Sequence, residues 1–125
     1  MKPGARGFSL LENLVALSVV AIALAAAARA ASQAVDTSAA LGQRTLARWV
    51  AENRVAELRA MPATPPPGRR SGEARQGPYH FLWEQVVTAT GDANWRTVEV
   101  AVLSADGQAL AHLGAHLLAR TTDAR

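Results

Sequence analysis

The chain contains no cysteine among its 125 residues. A disulfide framework is therefore excluded, and so is a metal site built on thiolates. Proline and glycine are also missing from one long stretch, because residues 29–61 contain neither except Gly42. Ala, Leu, Arg and Glu, which favour helices, dominate this stretch, so it is predicted to be helical.

Charge is nearly absent from the stretch that precedes it. Residues 8–28 are predominantly apolar, and Glu12 is their only charged side chain. At ~1.5 Å rise per residue, a helix of this length covers about 30 Å, the thickness of the hydrocarbon core of a bilayer. Because the backbone finds no water in lipid, a single span must be helical. We predict a membrane-spanning helix over residues 8–31.

Glu12 is unusual within such a segment. A carboxylate at the centre of a membrane helix costs roughly 2.5–3.5 kcal/mol on insertion scales, and such charges are usually paired or functional. Glu12 follows Phe8 by about one helical turn. A cut between Gly7 and Phe8 would give Phe8 a new amino group, and that cation could pair with Glu12 of its own chain or of a neighbour.

The N-terminal sequence MKPGARGFSLLE resembles the class III signal of type IV prepilins and type II secretion pseudopilins. That signal is a short basic leader ending in Gly, followed by Phe and by Glu as the fifth mature residue. The resemblance implies that residues 1–7 are a leader, and that a prepilin peptidase cuts after Gly7 and methylates the amine of Phe8. It also implies that Glu12 pairs with the N-terminus of a neighbouring subunit as a filament grows. An ordinary signal anchor with an isolated Glu is the alternative.

The net charge of +3 lends little support to nucleic-acid binding. Lys2 and Arg6 belong to the leader, and without them 11 basic side chains stand against 10 acidic ones. A nucleic-acid partner would require a strongly basic surface. The two leader cations instead predict that the N-terminus stays cytoplasmic and that the remainder faces the periplasm of a Gram-negative cell, anchored in its inner membrane.

The helix is predicted to continue through residues 32–61 as its periplasmic part, and Pro62 ends it. Apolar side chains recur there at spacings of three and four residues. They form one face that should pack on a sheet: Ala47, Val50, Ala51, Val55 and Leu58. Trp49 lies away from this face. It is either partly exposed beneath a loop or a contact for a partner, since Trp is enriched in interface hot spots.

Residues 46–59, LARWVAENRVAELR, carry a second resemblance, to the helix motif of the I-type minor pseudopilin of type II secretion. The usual pattern is Leu-Ala-x-Trp-Val-Ala-Glu-Asn-Arg-x-Ala-Glu-Leu. The resemblance assigns fold and partner contacts to Trp49, Glu52, Asn53, Arg54, Glu57 and Leu58. The polar members form either a solvated face with weak pairs along the helix, or a group in which Asn53 bonds to a loop or sheet edge.

Residues 62–78 are rich in proline and glycine and are predicted to be a loop. Its arginines are either solvated or a patch for an acidic partner: Arg69, Arg70 and Arg75. Residues 79–119 predict an antiparallel sheet, because apolar and polar side chains alternate. Its strands would start at Tyr79, at Trp95 and at Ala109, although residues 109–118 also fit a helix. An Asp106-Gly107 turn would join the last two strands, and residues 120–125 would form a polar tail.

The sequence contains no recognisable catalytic motif. His112 and His116 are four residues apart, which in a strand separates them by about 13 Å at ~3.3 Å per residue, too far to share an ion. The sequence has no nucleophile-elbow or phosphate-loop pattern. It therefore predicts a protein that is not an enzyme and has no cofactor or metal.

These features predict a pilin-like α+β fold, with one long N-terminal helix whose front half spans the membrane and whose back half packs on a small antiparallel sheet. The resemblance implies a structural subunit near the tip of the type II secretion pseudopilus, which helps initiate assembly for export of folded proteins. Its implied partners are the J- and K-type minor pseudopilins, with the H-type as a further candidate, and the major pseudopilin. The alternative is a minor pilin of a type IV pilus, for adhesion, twitching or DNA uptake, since it carries the same anchor.

Overall fold

A computed structural model describes residues 9–121. Helix α1 runs over Leu10–Ala60 and is followed by four strands: β1 Gly68–Gln76, β2 Tyr79–Ala89, β3 Trp95–Ser104 and β4 Ala109–Leu118. The chain divides into two compact units, with the boundary after Ala39. The architecture is the predicted pilin-like α+β fold.

The first unit contains the front part of α1, and its apolar side chains are exposed. Leu10 is 89% exposed and Ile22 is 70% exposed. By length and composition, α1 qualifies as a helix that could cross a membrane. The hydroxyl of Ser18 donates to the carbonyl oxygen of Leu14 at 2.8 Å, which satisfies this polar group within the helix. The exposed apolar surface is what a helix solvated by lipid requires.

The second unit contains a four-stranded sheet in the order β1-β2-β3-β4, with each neighbouring pair antiparallel. Gly107, with a φ of 87°, lies in the predicted turn between β3 and β4. In this turn Ser104 N donates to the carbonyl oxygen of Gln108 at 2.8 Å. Residues 109–118 are therefore a strand, the first of the two alternatives that the sequence allowed.

The core lies between the back part of α1 and one face of the sheet. The helix contributes the five buried residues that its periodicity predicted: Ala47, Val50, Ala51, Val55 and Leu58. The sheet contributes Phe81, Val87, Val98, Val100, Val102 and Leu117. The alternation predicted for β3 is confirmed, because Val98, Val100 and Val102 are completely buried.

The prediction of a loop over residues 62–78 was wrong for its second half, where β1 pairs with β2 at the edge of the sheet. Strand β1 was missed because it has no β-branched or aromatic residue and has several charged side chains. An edge strand pairs on one side only and tolerates such charges. Gly77, with a φ of 57°, and Pro78 form the two-residue turn to β2, and a Gly in the first turn position was a readable hairpin signal.

The first half of that segment, residues 62–67, is a loop that hydrogen bonds hold against the end of the sheet. Thr64 N donates to the carbonyl oxygen of Arg120 at 3.0 Å. The Thr64 hydroxyl donates to the carbonyl oxygen of Leu118 at 2.9 Å. Arg96 donates to the carbonyl oxygen of Pro65. The proline run therefore has a defined position beside the strands.

Candidate assembly interface

Arg54 connects α1 to the sheet. Its side chain is only 16% exposed, and its Nε donates to Oε1 of Gln85 in β2 at 2.9 Å. Its Nη1 also donates to Oε2 of Glu57 at 2.7 Å, and its guanidinium carbon lies 4.2 Å from the ring centroid of Trp83. One planar cation thus bonds the oxygen of a buried amide and stacks on an aromatic ring, which a lysine could not do equally well.

Trp83 owes its place to a glycine on the neighbouring strand. Gly72 lies opposite Trp83 in the β1–β2 register. A Cβ atom on Gly72 would come within 2.5 Å of Trp83 Cζ2 and 2.7 Å of Trp83 Cε2. The missing side chain therefore leaves room for the indole between β1 and Arg54.

Replacing Gly72 by alanine is expected to destabilise the second unit by about 1–3 kcal/mol, because the indole must shift and lose its contact with Arg54. The matched control is Gly114→Ala in β4, where a Cβ atom meets nothing within 4 Å. Urea unfolding of the full chain in detergent micelles, followed by Trp fluorescence, would compare them. Equal midpoints for the two variants would contradict this account of Trp83.

The other polar residues of the helix motif point outwards. Glu52 pairs with Arg48 at 2.9 Å, and both side chains are largely exposed. Asn53 is exposed, so the alternative in which Asn53 reaches the sheet is not what the structure shows. Arg54 makes that connection instead. Leu58, at 3% exposure, belongs to the core.

Trp49 remains a surface residue. It is 52% exposed and lies two positions from both Ala47 and Ala51, which are completely buried. At about 100° per residue, this spacing places Trp49 on the side of α1 opposite the core. The structure therefore puts a large aromatic ring on the free face of the helix.

Ser9 caps the start of α1. The backbone N–H of Glu12 donates to Ser9 Oγ at 3.1 Å, and that of Asn13 donates to the carbonyl oxygen of Ser9 at 3.0 Å. Glu12 is exposed in the first turn, where a negative charge suits the helix dipole. Gly7 and Phe8 lie outside the described residues, and so does the predicted pairing of Glu12 with the amine of Phe8.

Comparison with known proteins identifies the family. Residues 41–117 match the family described as type II secretion system protein I, and residues 2–28 match the prokaryotic N-terminal methylation motif. The chain belongs to the type II secretion system protein I family. The first match covers the back part of α1 and nearly all of the sheet, so it includes Trp49, Arg54 and the strand that Arg54 contacts.

Relatives in this protein I family span most of the chain. The type II secretion system protein I of Pseudomonas aeruginosa is 37% identical over 98 residues, which are 78% of this chain and 76% of the relative. Its counterpart in Escherichia coli is 34% identical over 97 residues, covering 78% of this chain and 79% of the relative. That of Aeromonas hydrophila is 33% identical over 101 residues, covering 81% and 85%. The resemblance drawn from residues 46–59 is thereby confirmed.

The histidines of this protein I family member lie apart from the Arg54 contacts. His112 and His116 are exposed on β4, opposite Ala101 and Thr97 of β3. His112 Nε2 lies 4.0 Å from Glu99 Oε2. Within residues 9–121, no group of three or more His, Asp or Glu side chains is arranged to hold a metal ion.

Three residues of the site were not predicted as site residues from the sequence: Gly72, Trp83 and Gln85. Gln85 is completely buried. Its burial was predictable, because alternate residues of a strand share a face and Gln85 lies an even number of positions from Phe81 and Val87 on β2. Gly72 gave no such signal, since it lies in β1, which the sequence predicted to be a loop.

Proposed function

We propose that this chain is a low-copy minor pseudopilin at or near the tip of the type II secretion pseudopilus, where it helps initiate assembly for export of folded proteins. The observation that carries the proposal is the family match over residues 41–117. The anchor is shared with type IV pilins, whereas the matched region lies beyond it. The match therefore favours the secretion system over a type IV pilus.

The N-terminal methylation motif over residues 2–28 supports a processing step. A prepilin peptidase would cut after Gly7 and methylate Phe8, which leaves the apolar helix on the mature protein. Lys2 and Arg6 would hold the leader in the cytoplasm. The helix would then anchor the chain in the inner membrane of a Gram-negative cell, with the second unit in the periplasm.

The outward side of the back part of α1 would meet other subunits. Trp49 presents an exposed aromatic ring there, and Glu52, Asn53 and Glu57 are exposed on the same helix. Aromatic residues are enriched among the side chains that dominate binding energy. The proposed partners are the J- and K-type minor pseudopilins, with the H-type as a further candidate, and the major pseudopilin.

A strain deleted for this chain tests the proposal. We expect exoproteins to accumulate in the periplasm while surface pili and twitching remain normal. Intact secretion with lost pili would contradict the proposal and favour a minor pilin. Complementation with the wild-type chain should restore secretion and copurification of the J- and K-type subunits, and Trp49→Ala should weaken that copurification.

A further inference from the structure

A cavity of about 400 Å³ opens between the proline run and the start of the sheet. It is lined by Pro65–Pro67, Arg69, Arg70, Gln85 and Val87, and we name it the Gln85 cavity. The proline rings and the buried Val87 give it apolar walls, while Gln85 and the two arginines give it polar ones. All of these residues lie in the second unit.

Gln85, which lines this cavity, has an unused hydrogen-bond donor. The residue is completely buried, and its Oε1 accepts from Arg54. Arginine can only donate hydrogen bonds, so the amide atom bonded to Arg54 must be the oxygen, Oε1. The amide nitrogen, Nε2, is therefore the atom that Arg54 does not bond. Nε2 is buried and has no hydrogen-bond partner within residues 9–121. Buried polar groups are normally paired, so the amide calls for an acceptor.

Positive charge accompanies this donor. Arg70 lies directly opposite Gln85 in the β1–β2 register, and Arg69 also lines the cavity. Both are exposed, and the ion pairs within residues 9–121 include neither of them. Arg48 and Arg54, by contrast, each have a glutamate partner. The lining of the cavity thus combines an amide with two cations that belong to no ion pair within residues 9–121.

We infer that the Gln85 cavity binds a carboxylate side chain carried by an extended segment of another protein subunit. An ionised carboxylate only accepts hydrogen bonds, so its two oxygens suit Gln85 Nε2 and the Arg70 guanidinium together. The apolar walls leave space for the carbon atoms of flanking residues, which a free anion does not have. The identity of the partner as a pseudopilus subunit rests on the proposed function, whereas the carboxylate rests on the cavity alone.

Nuclear magnetic resonance of the ¹⁵N-labelled full chain in detergent micelles tests the cavity. The probes are the blocked peptides acetyl-Ala-Leu-Glu-Ala-amide and its Gln counterpart. The Glu peptide should shift the side-chain amide resonance of Gln85 saturably, and the Gln peptide should bind at least fivefold more weakly. Arg70→Gln should weaken the Glu peptide at least fivefold, while Arg75→Gln, exposed on the same strand outside the cavity, should leave it unchanged.

Three results of the peptide titrations would overturn the inference. They are no shift with either peptide, equal binding of both peptides, and equal loss in the two arginine variants. Saturation of the same shift by sodium acetate at the same concentration would also overturn it, because the site would then be one for small anions.

Secretion assays separate this inference from the proposed function. In the deletion strain, Arg70→Glu should restore secretion poorly and Arg75→Glu should restore it well. If the chain binds the Glu peptide but Arg70→Glu restores normal secretion, the assignment of the cavity to a pseudopilus partner is overturned. If the chain does not bind the Glu peptide but secretion still depends on the chain, the inference about the Gln85 cavity is overturned and the proposed function stands.

Discussion

Replacing Arg54 by alanine is expected to destabilise the second unit by about 3 kcal/mol, because a hydrogen bond to a charged group contributes roughly 1.5–3 kcal/mol and the stacking on Trp83 adds to it. The loss leaves Oε1 of the completely buried Gln85 without its donor. Glu57 also loses its partner, but that pair is 60% exposed on the glutamate side and contributes little.

Arg48→Ala is the matched control. Arg48 lies on the same helix and also pairs with a glutamate at 2.9 Å, but its side chain is 71% exposed. Pairs of this kind contribute about 0.3–0.5 kcal/mol, so the control should change stability by less than ~0.5 kcal/mol. Urea unfolding of the full chain in micelles gives both values.

Arg54→Lys refines this test of Arg54. Lysine keeps the charge but lacks the planar group that bonds Gln85 while it stacks on Trp83. The variant should therefore fall between the wild type and Arg54→Ala. If Arg54→Ala is no more damaging than Arg48→Ala, the contact between helix and sheet contributes nothing measurable, and α1 is held by its apolar face alone.

The apolar face of α1 was predictable because periodicity reports which side of an element is buried. The spacing of Ala47, Val50, Ala51, Val55 and Leu58 identifies one side of a helix without reference to any partner. The same holds for the alternation of Val98, Val100 and Val102. The turn at Asp106-Gly107 was predictable for a different reason, since its glycine adopts the positive φ that such turns need.

The polar contacts were not predictable because they join residues distant in sequence. Arg54 and Gln85 are 31 positions apart, and nothing in the pattern of either segment identifies the other as its partner. Gly72 depends on a register that exists only once β1 is recognised as a strand. A charged edge strand is difficult to predict from sequence. The charged side chains that protect its edge also obscure the alternation of apolar and polar residues that identifies a strand.

The start of α1 was readable and was overlooked. Ser9 and Glu12 have the spacing of a capping box, in which a Ser at the cap is followed three residues later by Glu or Gln. The structure confirms the first half of this motif, since the Glu12 N–H donates to Ser9 Oγ. Glu12 therefore has a local role available to it besides the proposed pairing with Phe8, and the two roles make different predictions.

Replacing Glu12 by glutamine is expected to reduce incorporation of the chain into filaments about tenfold or more, which corresponds to roughly 1.4 kcal/mol. The proposed pairing needs a negative charge opposite the amine of a neighbouring Phe8, and glutamine has none. Cleavage after Gly7 should continue. Glu12→Ala should have the same effect, because it removes the same charge.

The capping role predicts another order of variants. Glutamine serves at this position of a capping box as glutamate does, so Glu12→Gln would then incorporate almost normally. Ser9→Ala removes the cap and keeps the charge. Under the pairing proposal Ser9→Ala should incorporate close to the wild-type level, whereas under the capping role it should be as poor as Glu12→Ala.

Crosslinking of the chain to neighbouring subunits, normalised to the cleaved and membrane-inserted chain, measures incorporation in all of these variants. Weak anchoring cannot imitate the expected loss. A carboxylate in a membrane helix opposes insertion into lipid, so its removal makes residence in lipid more favourable rather than less. If Glu12→Gln inserts well and assembles poorly while Ser9→Ala assembles well, the negative charge itself is required by a neighbouring subunit. If Glu12→Gln instead crosslinks at the wild-type level, the negative charge is not required for assembly, and the role of Glu12 is to cap the start of the helix.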